Sequence, residues 1–172
     1  MSSPISGSSF VFDNVYIQSV ATTAGIVEYQ GPLGHYFDKH YPDHYHHNVS
    51  YEQAEIEMLK DALLICLKNG KVKKEEIDFY FGGDLNNQLT ACYYYANHLH
   101  RPFIGLYSAC STIGLALANA SIMIENHSIH KAIACTVSHN ATAERQFRYP
   151  LEYGIQRKET MTFTATGSVA VY

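Results

Sequence analysis

From residue 50 onward, helical spacing of apolar positions gives way to short continuous apolar runs, and the two patterns alternate. In "SYEQAEIEMLKDALLICLKNG" (50–70), Met58, Leu59, Ala62, Leu63, Cys66 and Leu67 fall on one face of a helix. Ser50 and Gln53 stand at capping-box spacing ahead of it, and Asn69-Gly70 is a stop signal. "IDFYFGG" (77–83) then reads as a strand, "NQLTACYYYANHLH" (87–100) as a helix, and "PFIGLYS" (102–108) as a strand. "STIGLALANASIMIEN" (111–126) reads as a helix, followed by strands at "KAIACTVS" (131–138) and "GSVAVY" (167–172). Ahead of all these, "NVYIQSVATTAG" (14–25) is a plausible first strand, and "GPLGHYFDKHYPDHYHHN" (31–48) a long loop. Apolar strands alternating with helices predict an α/β fold: a mostly parallel sheet with helices on both faces.

The helix over 113–124 is unusual. Ile113, Leu115, Ala116, Leu117, Ala118, Ala120, Ile122, Met123 and Ile124 make it apolar on nearly every side. Such a helix must be covered all round. One sheet covers one side only, so a second half or a partner subunit is expected on the other.

Composition narrows the class. With 172 residues, 47% hydrophobic and 16% charged, the chain has room for one ordinary globular core. A net charge of -4 with no basic stripe argues against nucleic acid as a partner. "MSSPISGSS" (1–9) is small and polar and is expected to be disordered, with 10–172 forming the folded unit. No signal peptide or membrane span is predicted. Cys66, Cys92, Cys110 and Cys135 form no C-x-x-C pair, and the expectation is reduced thiols in an intracellular protein.

Candidate chemistry concentrates after the second strand–helix unit. Cys110 stands where a strand turns into the apolar helix, and amides at a helix start stabilise a thiolate. It is either a nucleophile or a small residue packed at a crowded turn; a nucleophile also needs a base and an oxyanion site. His139, at the C-terminal end of the next strand, could face it, or could hydrogen-bond a loop. In "SHNATAERQFRYPLEYG" (138–154), Arg145 and Arg148 lie three apart beside Phe147, Tyr149 and Tyr153. Guanidinium forks with flat rings suit a small planar anion; equally, both arginines could pair with Glu144, Glu152 or another subunit. His35, His40, His44, His46 and His47 sit at irregular spacings among tyrosines, which favours a solvated or interface loop over a metal site. "FGGD" (81–84) is not a phosphate loop, and Asp84 could orient a site residue or cap a helix.

The stretches "GPLG" and "FDK" (31–39), "GDLNNQ" (83–88), "ACST" (109–112) and above all "SHNATAERQFRYPLEYG" resemble the stage V sporulation protein AD family, from about residue 10 to the end. That resemblance implies a thiolase-like (condensing-enzyme) fold, built of two similar halves whose nucleophile-bearing helices pack together. This chain resembles the first half, and the C-terminal half is expected to be absent. The resemblance further implies a non-enzymatic protein that binds dipicolinic acid, a flat ring with two carboxylates, possibly with calcium. It would act with membrane proteins of the same operon, peripherally on the cytoplasmic side of the forespore inner membrane. A homodimer around residues 103–108 is implied for the complete protein, with no cofactor. On this reading Cys110, His139, Asn140, Arg145, Arg148 and Tyr149 line the ligand pocket, and covalent acyl transfer by Cys110 is the alternative.

Overall fold

The computed structural model describes residues 4–6, 9–147, 160 and 162–172, the side chains from residue 9 onward. Six strands form one mixed sheet. In chain order the strands are β1 (Pro4–Ser6), β2 (Ser9–Phe10), β3 (Val20–Ala24), β4 (Lys39–His40), β5 (Phe79–Gly83), β6 (Phe103–Gly105), β7 (Ala132–Ser138) and β8 (Gly167–Val171). The helices are α1 (Ile26–Tyr29), α2 (Tyr51–Asn69), α3 (Thr90–Leu99), α4 (Thr112–Glu125) and α5 (Asn140–Phe147). The sheet order is β4-β3-β8-β7-β5-β6. Strands β7, β5 and β6 are mutually parallel, whereas β8 runs antiparallel to both β7 and β3.

Strand alternation assigns each side chain to one of two cores. Tyr80, Ile133, Cys135 and Val137 face α2 and α3, where they meet Met58, Leu59, Leu63 and Cys66. Phe81, Ala132 and Ala134 face α4 and meet Ala116 and Ala120. The predicted caps form: the Gln53 amide donates to Ser50 Oγ at 3.2 Å, and Gly70 ends α2. Gly83 is needed for close approach, since a Cβ there would lie 1.8 Å from the Leu106 carbonyl oxygen.

Among the described residues, helix α4 is covered on one side only. Its Leu115 and Ile122 are 37% and 40% exposed, and Gly114 and Ala118 are exposed as well. That is the unpartnered apolar face the sequence pattern implied.

Several elements differ from the sequence reading. The first strand starts at Val20 rather than Asn14, although the Gln18 and Ser19 amides still donate to the Tyr172 carbonyl. Near the N-terminus, Pro4–Ser6 pairs antiparallel with Ser9–Phe10, and Phe10 stacks on Phe12. The His-rich loop is not uniformly solvated: Tyr41 and His46 are buried and stack at 3.8 Å between ring centroids. Residues 140–147 form a helix that apolar periodicity did not announce.

Candidate functional site

Strands β5 and β7 end beside the turn that starts α4, so the C-terminal edge of the parallel strands gathers the polar groups. The turn Ala109–Ser111 is held by side chains. The Ser108 amide donates to Thr112 Oγ1 (3.1 Å), Thr112 Oγ1 donates to the Ala109 carbonyl (2.8 Å), and Ser111 Oγ donates to the Ser108 carbonyl (2.8 Å). Ala109 has a φ of 46°, an unfavourable left-handed conformation for a residue with a Cβ. The turn leaves Cys110 exposed on the wall of a cleft of about 570 Å³. Ile113, Thr136, Ser138, Phe163 and Ser168 contribute to the same cleft.

The cleft presents apolar surface, hydroxyl oxygens and the start of a 14-residue helix, the end where backbone dipoles attract negative charge. The hydroxyl hydrogens of Thr136, Ser138 and Ser168 are already engaged. Thr136 donates to the Gly83 carbonyl (2.8 Å), Ser138 to that of Ala165 (2.8 Å), and Ser168 to that of Thr136 (3.0 Å). Among the described residues that line the cleft, Cys110 is the one with a titratable side chain.

His139 does not join it. The ring is fully buried, with Nε2 2.8 Å from the His44 carbonyl, while Nδ1 accepts from the Ala141 amide at 3.1 Å. A carbonyl only accepts, so the proton sits on Nε2 and both nitrogens are occupied. Burial pulls the imidazole below its usual range, against the His44 hydrogen bond. The ring lies 5.0 Å from Tyr51 and 6.0 Å from His46, in the packing between α2 and the His-rich loop.

Asn140 and Arg145 serve other recesses. Asn140 Nδ2 donates to the Thr164 carbonyl at 2.7 Å, and the residue lines a recess of about 240 Å³ with His44 and Phe163. Arg145 pairs with Glu52 and lines a recess of about 320 Å³ with Asn86 and Thr142. Glu52 was not among the partners the sequence suggested. Burial alone would raise the Glu52 carboxyl, but a backbone amide and the Arg145 guanidinium together hold it below its ordinary value. Arg148 and Tyr149 lie outside the described residues. Of the six expected pocket residues, Cys110 alone is seen on this cleft.

Sequence reasoning missed the buried polar network beneath. Glu55 Oε2 accepts from Asn86 Nδ2 at 2.7 Å and from Thr142 Oγ1 at 2.9 Å, and the residue is fully buried. Burial pushes its carboxyl up to about 8; the charge of Asp84 adds to this, and the Asn86 and Thr142 bonds oppose it. Asp84 accepts from the Asn86 amide (2.8 Å) and the Cys92 amide (2.7 Å), so it satisfies a free amide in the first turn of α3. Its carboxyl is raised by burial despite those bonds. The legible signal was Glu55 itself, a charge on the apolar stripe of α2. Among the described residues, no three His, Cys, Asp or Glu side chains converge as a metal set.

The family model for stage V sporulation protein AD matches residues 7–172. The chain belongs to the stage V sporulation protein AD family. It is 43% identical over 164 residues to stage V sporulation protein AD of Bacillus subtilis (strain 168), covering 95% of this chain and 48% of that protein. Solved structures that share the fold include two condensing enzymes. One is 3-oxoacyl-[acyl-carrier-protein] synthase III from Aquifex aeolicus VF5 (TM-score 0.59, 15% identity, 90% of this chain and 52% of that one). The other is the priming β-ketosynthase of the R1128 polyketide pathway (TM-score 0.59, 12% identity, 94% and 50%). The fold is thiolase-like, and the chain spans about half the length of these relatives.

Proposed function

We propose that this chain contributes the Cys110 cleft to a protein that binds dipicolinic acid without covalent chemistry and supports its uptake into the developing spore. Membership of the sporulation family supports the role, and the cleft is the observation that carries the ligand. Its volume is that of a small-molecule site. Phe163 gives a flat ring something to stack on, and the α4 N-terminus gives a carboxylate a favourable field. Cys110 is then part of the wall, inherited from a condensing-enzyme ancestor, and His139, held by His44 and Ala141, serves packing rather than proton transfer. Calcium accompanying the dicarboxylate is part of the same proposal.

No described helix is long and apolar enough to cross a membrane. The location we propose, from family membership, is peripheral, on the cytoplasmic face of the forespore inner membrane beside the membrane proteins of the same operon. The complete protein is proposed to be a homodimer formed around β6, an edge strand of the sheet.

The second reading is acyl transfer with Cys110 as the nucleophile, favoured by the synthases that share the fold. Alkylation of the native chain, read by intact mass, separates the two. The binding reading expects dipicolinic acid to protect Cys110 from iodoacetamide, with no mass gain from an acyl-CoA. A stable acyl adduct on Cys110 would establish the second reading.

A further inference from the structure

Helix α5 holds one wall of the Cys110 cleft. Asn140 and Glu144, one turn apart, grip the backbone of Thr164 from both sides. Asn140 Nδ2 donates to its carbonyl at 2.7 Å, and its amide donates to Glu144 Oε1 at 2.6 Å. Phe163, the ring offered to the ligand, is the adjacent residue. On its other side α5 is docked almost wholly by polar contacts. Thr142 donates to Glu55, Arg145 pairs with Glu52, and Gln146 Oε1 accepts from the Asn87 amide at 2.9 Å. Its buried residues are Thr142, Ala143 and Glu144, so no large apolar side chain anchors it.

The centre of this docking is a carboxyl with few means of staying charged. Glu55 is fully buried and uses one oxygen for both Asn86 and Thr142; its Oε1 has no hydrogen-bond partner. Asp84, at the end of β5, faces it and is itself buried, with both oxygens occupied by amides. Glu52 lies one turn back on α2 and already holds Arg145, the cation α5 brings to this side. From α3 comes the buried thiol of Cys92, which offers no positive charge. An ionised Glu55 would therefore meet like charge and no water, and admitting water means lifting α5.

We propose that Glu55 is a proton-controlled latch on α5, and that its protonation sets how firmly the Thr162–Thr166 wall of the cleft is held. With the proton on, the carboxyl stays buried and α5 is closed. With the proton lost, the hydrated and lifted arrangement gains. The consequence for ligand binding rests on the cleft being the ligand site; the latch itself does not.

Amide hydrogen exchange tests it on the native chain, with rates corrected for their intrinsic pH dependence. Opening of residues 141–147 and 162–166 should rise at least tenfold between pH 6 and pH 8 and level off above about pH 9, because the proton is held in the closed form and lost in the open one. Glu55→Gln should flatten that rise. Thr142→Val, which keeps the carboxyl, should raise opening at every pH and preserve the slope. A slope that persists in Glu55→Gln, or its absence from the parent chain, overturns the latch. A parallel dipicolinic acid titration keeps the two claims apart. A slope without binding leaves the latch standing and removes the ligand reading; binding without a slope does the reverse.

Discussion

His139 donates from Nε2 to the carbonyl of His44 at 2.8 Å, and that bond takes the imidazole away from Cys110. In a cysteine-dependent enzyme the histidine nearest the thiol must have a free nitrogen to receive a proton. Here the second nitrogen accepts from the Ala141 amide, so the ring serves to join β7, α5 and the His-rich loop. His139→Gln should therefore lower the melting temperature while leaving the alkylation rate of Cys110 within about twofold of the parent. A large fall in thiol reactivity on this substitution would mean that the histidine does reach Cys110.

The exposure pattern of the thiols gives a second expectation. Cys110 is exposed, whereas Cys66, Cys92 and Cys135 are buried and unpaired. Under native conditions iodoacetamide should add once per chain, and all four positions should react after denaturation. Cys110→Ser should abolish the native addition. More than one native adduct would show that a core opens readily.

Two buried histidines should make the fold acid-sensitive. Burial pulls His46 down to about 4, with the nearby His139 adding to that and the Ala54 carbonyl, Asp43 and Glu57 opposing it; burial likewise lowers His139. An unfolded chain binds these protons near pH 6.5 and the folded chain does not. Stability is thus full above pH 6.5 and is lost as pH falls through 4, on the order of 3 kcal/mol for His46 alone. Urea midpoints measured from pH 7 down to pH 4 check this, and His46→Asn should shallow the decline.

Asp84 is the residue whose loss should cost most at the sheet edge. Replacing it with Ala leaves the Asn86 and Cys92 amides without an acceptor inside the protein. The expected destabilisation is about 2–4 kcal/mol, with Asp84→Asn milder, as read from denaturant unfolding.

Much of this was written in the chain. The apolar stripe of α2, the continuous strands β5 and β7 and the all-apolar α4 each follow from residue pattern, and the exposed Leu115 and Ile122 are the face that pattern could not cover. Two features were hidden for physical reasons. The buried face of α5 is polar, so no apolar period marks it, and the antiparallel direction of β8 depends on pairing with β3 nearly 150 positions away. At the site, the sequence named candidates without their partners. Arg145 was open to an anion or to a carboxylate partner, and the partner beside it, Glu52, lies 93 positions earlier in the chain. Glu55 went unread, because its role depends on Asn86 and Thr142 arriving from other elements.

The most direct test of the binding account is a calorimetric titration of the chain with dipicolinic acid, alongside Phe163→Ala and the Bacillus subtilis relative. The account predicts saturable heat at one site per chain, lost or weakened at least tenfold in Phe163→Ala and retained in Cys110→Ala. No heat from either the chain or the relative would contradict it.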